Sequence, residues 1–202
     1  MITNYSKKHN IIFIHQQKTA GMSIMQALDI EKSGHYPVMV LEQLIPNQII
    51  RKAKKMMVIR NPWDRMVSWW EYTKHHHPHH NLDFSDWLRG NRMRIASDGT
   101  FLMSQVHFHL SMKPEDVETW IPYYALNFDM LDRDWKKFCE NTGVDIELPY
   151  KNQSVEKRHY TEVYSTWDDV NLVQNLFIED IETFGWKFGK EKNAAVFSEG
   201  VA

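Results

Sequence analysis

Ile11-Ile12-Phe13-Ile14 is a short block of apolar, mostly β-branched side chains between polar flanks. A run apolar on both faces of the pleat predicts a buried strand of a parallel sheet. It gives way to the polar turn Gln16-Gln17-Lys18-Thr19-Ala20-Gly21, then to a helix-like stretch from Met22 to Leu28. The theme returns at Met56-Met57-Val58-Ile59, which ends at Arg60-Asn61-Pro62. Asn61 suits an N-cap and Pro62 the first helical position. The helix that follows carries Trp63, Met66, Val67 and Trp70 near a 3.6-residue spacing. Between the strands, Leu41 to Lys54 reads as mostly helical, interrupted at Pro46. Strands joined by a helical crossover predict a central parallel sheet flanked by helices, an α/β fold with right-handed connections.

Beyond this point the pattern is mostly helical: Phe84–Leu88, Gly99–Leu110, and Leu131–Glu140 closing near Gly143. Tyr123–Phe128 reads as a third strand and Leu148 to Lys157 as a loop. A last helix runs from Trp167 to Phe184, and the ending Phe184-Gly185-Trp186-Lys187-Phe188 is expected to pack back. Without repeats or a Pro/Gly-rich seam, residues 1–190 read as one domain, with 191–202 a frayed tail. Composition narrows the class. A 43% apolar, 25% charged chain is ordinary globular protein. A net charge of -2 argues against a strongly basic nucleic-acid binder. One cysteine, Cys139, excludes an intrachain disulfide and a cysteine-built zinc site. The polar start and the lack of a long apolar run predict a soluble, cytoplasmic chain off the membrane.

The chemistry gathers at the two strand ends. A turn entering a helix presents main-chain N–H groups and partial positive charge to an anion. In Gln17-Lys18-Thr19-Ala20-Gly21-Met22-Ser23, Lys18 adds a full charge and Thr19 and Ser23 add hydroxyls. Gly21 is expected to let an anion approach the backbone closely. Lys18 precedes the glycine, so this is not the phosphate loop of nucleoside triphosphatases. Arg60, at the second strand end, offers bidentate anion recognition, with Ser68 two helical turns further on. Two such sites imply a ligand with two separated anionic groups. Asp64 and Arg65 are expected to pair or cap locally.

The stretch from Ile12 to Ile24 resembles the 5′-phosphosulfate loop of sulfotransferases that use 3′-phosphoadenosine 5′-phosphosulfate (PAPS). Val58 to Ser68 is similar to their 3′-phosphate motif, and the pair in this order is highly specific. The likeness is nearest to the Golgi-type carbohydrate sulfotransferases and their compact microbial or viral relatives. It continues through Leu148–Ser154, Tyr160–Tyr164 and Asp180–Trp186. It implies a P-loop-like three-layer fold, and a sulfuryl group moved from PAPS to a hydroxyl-bearing acceptor, a sugar or glycan, leaving 3′-phosphoadenosine 5′-phosphate (PAP). By the same resemblance, Lys18 stabilises the leaving phosphate, and Gln17 to Ser23 hold the 5′ end. Arg60 and Ser68 hold the 3′-phosphate, with a contribution from Lys151, Ser154, Lys157 or Arg158. Gln16-Gln17 stands where relatives carry an apolar residue and proline, and Met22 where they carry threonine.

In-line transfer needs a base for the acceptor proton. His35, in Ser33-Gly34-His35-Tyr36, resembles the Gly-His segment that supplies it in uronyl-type relatives, and His15, at the end of the first strand, is the alternative. The tract His75-His76-His77-Pro78-His79-His80 reads as an exposed loop, and no metal is required for this chemistry. Trp69, Trp70 and Tyr72 are either core or a stacking surface for a sugar or adenine. Two other classes remain: a P-loop-type nucleotide phosphotransferase, and an inactive relative that only binds nucleotide.

Overall fold

The computed structural model describes residues 2–76, 81–97, 104–109, 123–149 and 158–190. Tyr5–Ser6 (β1) runs antiparallel to Ile11–Ile14 (β2), and Lys54–Ile59 (β3) and Tyr123–Asn127 (β4) follow in parallel. The four strands lie in the order β1-β2-β3-β4. In register, Phe13 faces Met56 and Met56 faces Tyr124 across neighbouring strands. Helices among the described residues are Gly21–Ala27 (α1), Val38–Leu44 (α2), Asn47–Ile50 (α3), Pro62–His76 (α4), Phe84–Ser97 (α5), Gln105–His109 (α6), Leu131–Thr142 (α7), Trp167–Leu176 (α8) and Ile178–Phe184 (α9). The architecture is mixed α/β, with a mostly parallel sheet flanked by helices, as the pattern predicts.

The described chain divides into two compact units. The first holds all four strands with α1, α2, α3, α6 and α7. One face of its sheet (Ile11, Phe13, Met56, Val58 and Leu126) packs with Ile24 and Leu28 on one side and Trp135 and Phe138 of α7 on another. The opposite positions Ile12, Ile14, Met57 and Ile59 are buried as well. Burial on both faces explains why these strands read as unbroken apolar runs.

The second unit holds α4, α5, α8 and α9. Trp63 of α4 donates its indole N–H to the Val170 carbonyl, 3.0 Å away. Phe188 meets the rings of Trp63, Tyr160, Tyr164 and Trp167, so the aromatic ending packs back as expected.

Several elements depart from the pattern. Lys54, read as the end of the crossover helix, belongs with Lys55 to β3. Their charged heads find carbonyls, Lys54 Nζ on Thr142 at 2.8 Å and Lys55 Nζ on Ile50 at 2.6 Å, which lets both lysines sit in a sheet. β1 was not predicted, since two residues carry no periodicity. α5 runs on to Ser97, well past Leu88. The last helix is broken at Phe177, whose ring turns inward over the Arg65 guanidinium, 5.5 Å from its centroid. Arg65, expected to pair or cap locally, is fully buried, with Asp180 as a countercharge. Of the predicted helix Gly99–Leu110, the described part is helical from Gln105 to His109.

Candidate active site

β2 ends at Ile14, and the chain then makes a tight loop into α1. Two of its residues, Lys18 (φ 64°) and Ala20 (φ 59°), are left-handed although neither is glycine. Side chains tolerate that region poorly, so the loop stores backbone strain of the kind found where a main chain is shaped for a ligand. Left-handed residues alternating with right-handed ones are the means by which a loop builds an anion-binding nest. Thr19 is buried and its hydroxyl donates to the Gln16 carbonyl at 2.7 Å. Residue 19 therefore closes the loop with its side chain, and only its backbone is left for a ligand. Gln16, Gln17 and Ser23 are buried, Lys18 is half-buried, and Met22 is 56% exposed.

Gly21 is also required by the packing of His15. A β-carbon there would fall 1.7 Å from Nε2 of His15. The His15 ring occupies the space a side chain would need, stacked on Phe13 with centroids 5.0 Å apart. Its Nδ1 lies 3.0 Å from the Ser33 hydroxyl. Burial, reinforced by the neighbouring His35, pushes the His15 pKa down to about 3, so this ring is neutral at pH 7.

His35 sits beside it, with ring centroids 4.3 Å apart. Its Nδ1 is 3.1 Å from the main-chain oxygen of His15. A carbonyl only accepts, so Nδ1 carries the proton and Nε2 of the neutral ring keeps its lone pair. Burial holds the His35 pKa below the ordinary histidine value, against the smaller opposing effect of that hydrogen bond. The two histidines named in the sequence are thus brought together with the Lys18 loop in the sheet-bearing unit. Sequence reasoning missed Ser33, and it missed Asn4, whose carboxamide holds the segment before His35. An isolated Asn in a polar leader carries no signal for such a role.

Arg60 follows β3 directly, and its Nε donates to Asp64 at 2.6 Å, the local pairing expected of Asp64. Asn61 caps α4 as predicted, its side-chain oxygen accepting from the Trp63 N–H at 3.0 Å. Ser68 is half-buried on the same helix. Trp70 is buried with its N–H on the Leu82 carbonyl, whereas Tyr72 is exposed. Arg158 is exposed, and Lys151, Ser154 and Lys157 lie outside the described residues. So do His77, His79 and His80 of the histidine tract, of which His75 and His76 end α4. Among the described residues, no three His, Cys, Asp or Glu side chains are grouped to hold a metal ion.

The sulfotransferase domain model matches residues 12–159, from β2 through the Lys18 loop and α4 to the start of the final segment. The chain belongs to the sulfotransferase domain family. This sulfotransferase-family chain therefore carries a P-loop-like fold, and sulfuryl transfer to an acceptor is the general chemistry of its domain. No curated protein and no solved structure matches it. No described helix is long and apolar enough to cross a membrane.

Proposed function

We propose that the chain transfers a sulfuryl group from PAPS to a hydroxyl of a sugar or glycan, with Lys18 at the donor's 5′ end and His35 as base. The sulfotransferase-domain match across the Lys18 loop carries this reading. Two features of the loop suit the donor's 5′ end: the left-handed backbone at Lys18 and Ala20, as in anion-binding loops, and the Lys18 cation. Bound there, PAPS supplies a sulfuryl group already activated on a phosphate leaving group.

The chain's own residues do the rest. Lys18 neutralises charge that builds on the departing phosphate oxygen, the kind of preorganised electrostatics that dominates group transfer. His35 Nε2 accepts the hydroxyl proton as the acceptor oxygen bonds to sulfur and the old sulfur–oxygen bond breaks, releasing PAP. The neutral ring with its proton on Nδ1 suits that task. The assignment of Arg60 and Ser68 to the 3′-phosphate, with help from Lys151, Ser154 or Arg158, rests on the sequence resemblance. The choice of a sugar acceptor rests there too.

Isothermal titration with PAP should show micromolar binding that is lost in Lys18→Ala and Arg60→Ala. Labelled sulfate transfer over a glycan panel should then proceed with the wild type. His35→Ala should keep PAP affinity and lose transfer by about 100-fold or more. Absence of PAP binding would overturn the donor assignment. Binding without transfer to any acceptor would identify a nucleotide-binding relative, and full activity in His35→Ala would pass the base to His15.

A further inference from the structure

Asn4 lies outside the sulfotransferase-domain match, in a polar leader. It is nevertheless fully buried and left-handed, φ 58°. Asparagine is one of the few residues that enters this region readily.

Every hydrogen-bonding position of its carboxamide is engaged. Nδ2 donates to the Phe13 carbonyl at 3.0 Å and to the Gly34 carbonyl at 2.8 Å. Oδ1 accepts from the Gly34 N–H at 2.9 Å and from the Thr3 hydroxyl at 2.8 Å. Its own backbone adds an N–H to the Lys32 carbonyl and takes the Phe13 N–H, both at 2.8 Å. One side chain thus ties both main-chain groups of Gly34 to the middle of β2. Gly34 has no freedom to carry a side chain, since a β-carbon would meet the Tyr36 ring at 2.1 Å.

The next residue after Gly34 is His35, and two residues after Phe13 is His15. The Nδ1–His15 carbonyl bond that sets the His35 tautomer therefore spans the same two segments that Asn4 clamps. Spreading these segments would stretch that bond, a single contact at 3.1 Å between the His35 side chain and the carbonyl of the residue that follows β2.

We infer that Asn4 is a positioning residue for His35, holding the Gly34–His35 segment on β2 so that the imidazole keeps its proton on Nδ1 and presents Nε2 to the acceptor. This rests on the reading of His35 as the base. The role is played by a residue before the domain match, through the backbone N–H and carbonyl of Gly34.

The test reads the ring itself, in the whole chain. Two-bond nitrogen–proton correlation spectra of the imidazoles report which nitrogen of His35 is protonated, with His35→Gln supplying the assignment. The wild type should show His35 as the Nδ1–H form. Asn4→Gly keeps the left-handed backbone and deletes only the carboxamide, and His35 should move to the Nε2–H form that free imidazole side chains favour. PAP affinity should stay within about twofold, since the Lys18 loop is untouched. If Asn4→Gly does not fold, Asn4→Asp replaces it: the carboxylate still accepts from Gly34 but loses both donated bonds, and the same tautomer change is expected. A His35 that stays Nδ1–H in the folded variant overturns the proposal, and so does a wild type already in the Nε2–H form. Failure of the wild type to bind PAP would instead strike the donor assignment and leave the tautomer result standing.

Discussion

His15 shows how one buried ring organises the loop around it. It fills the space over Gly21, rests on Phe13, and lends its carbonyl to His35. It is neutral in the folded protein down to a pKa of about 3, against 6.5 unfolded. Between those values the unfolded chain binds the extra proton, so stability rises with pH across the window and is full above it. At pH 5 the loss from this ring alone is about 2 kcal/mol. His15→Asn, whose amide still reaches towards Ser33, should be less acid-sensitive. The gap between wild-type and variant denaturation midpoints should narrow from pH 7 to pH 5. Parallel midpoints at both pH values would show that His15 is not buried and neutral. The histidine itself was visible in the sequence, but its neighbours were not: Ser33 and Gly21 approach it only because the chain folds back along β2.

At the scale of elements, α4 was the most legible part of the chain. Its start is written in Asn61-Pro62 and its buried stripe in the spacing of Trp63, Met66, Val67 and Trp70. Asn61 satisfies the Trp63 N–H and also donates to the Tyr160 hydroxyl at 3.2 Å. Asn61→Ala should therefore destabilise the protein by about 1–2 kcal/mol, and Asn61→Ser, which restores a cap, should recover most of it in urea denaturation. Equal loss in both variants would mean that the Tyr160 contact matters and the cap does not. Less legible were elements whose cause lies elsewhere in the fold. The break at Phe177 follows from a ring turning in over a buried guanidinium, and β1 exists because β2 offers it an edge.

At the scale of the molecule, a ligand that binds only the folded state stabilises it by mass action. PAP at about 100 times its dissociation constant should add about 2.7 kcal/mol, a rise of roughly 5–10 °C in Tm for a chain of this size. Differential scanning fluorimetry would register it, and Lys18→Ala should abolish it. A rise that survives Lys18→Ala would place the nucleotide elsewhere. One unit holds the sheet, with both of its faces buried, and the other holds Trp63, Arg65 and the Phe188 ring cluster.

The amino-acid order alone determined the parallel strands, the loop at Lys18, the cap at Asn61 and the family to which they point. Those features are local: an apolar block, a cap and a turn are each decided by residues adjacent in the chain. Tertiary structure decided what no window of neighbours contains. It set the His35 ring against the His15 carbonyl, placed Asp180 as the countercharge of buried Arg65, and brought Asn4 and Gly34, thirty residues apart, together. Each depends on where distant segments meet, and the free energy of such contacts is defined only once the sheet has brought those segments together.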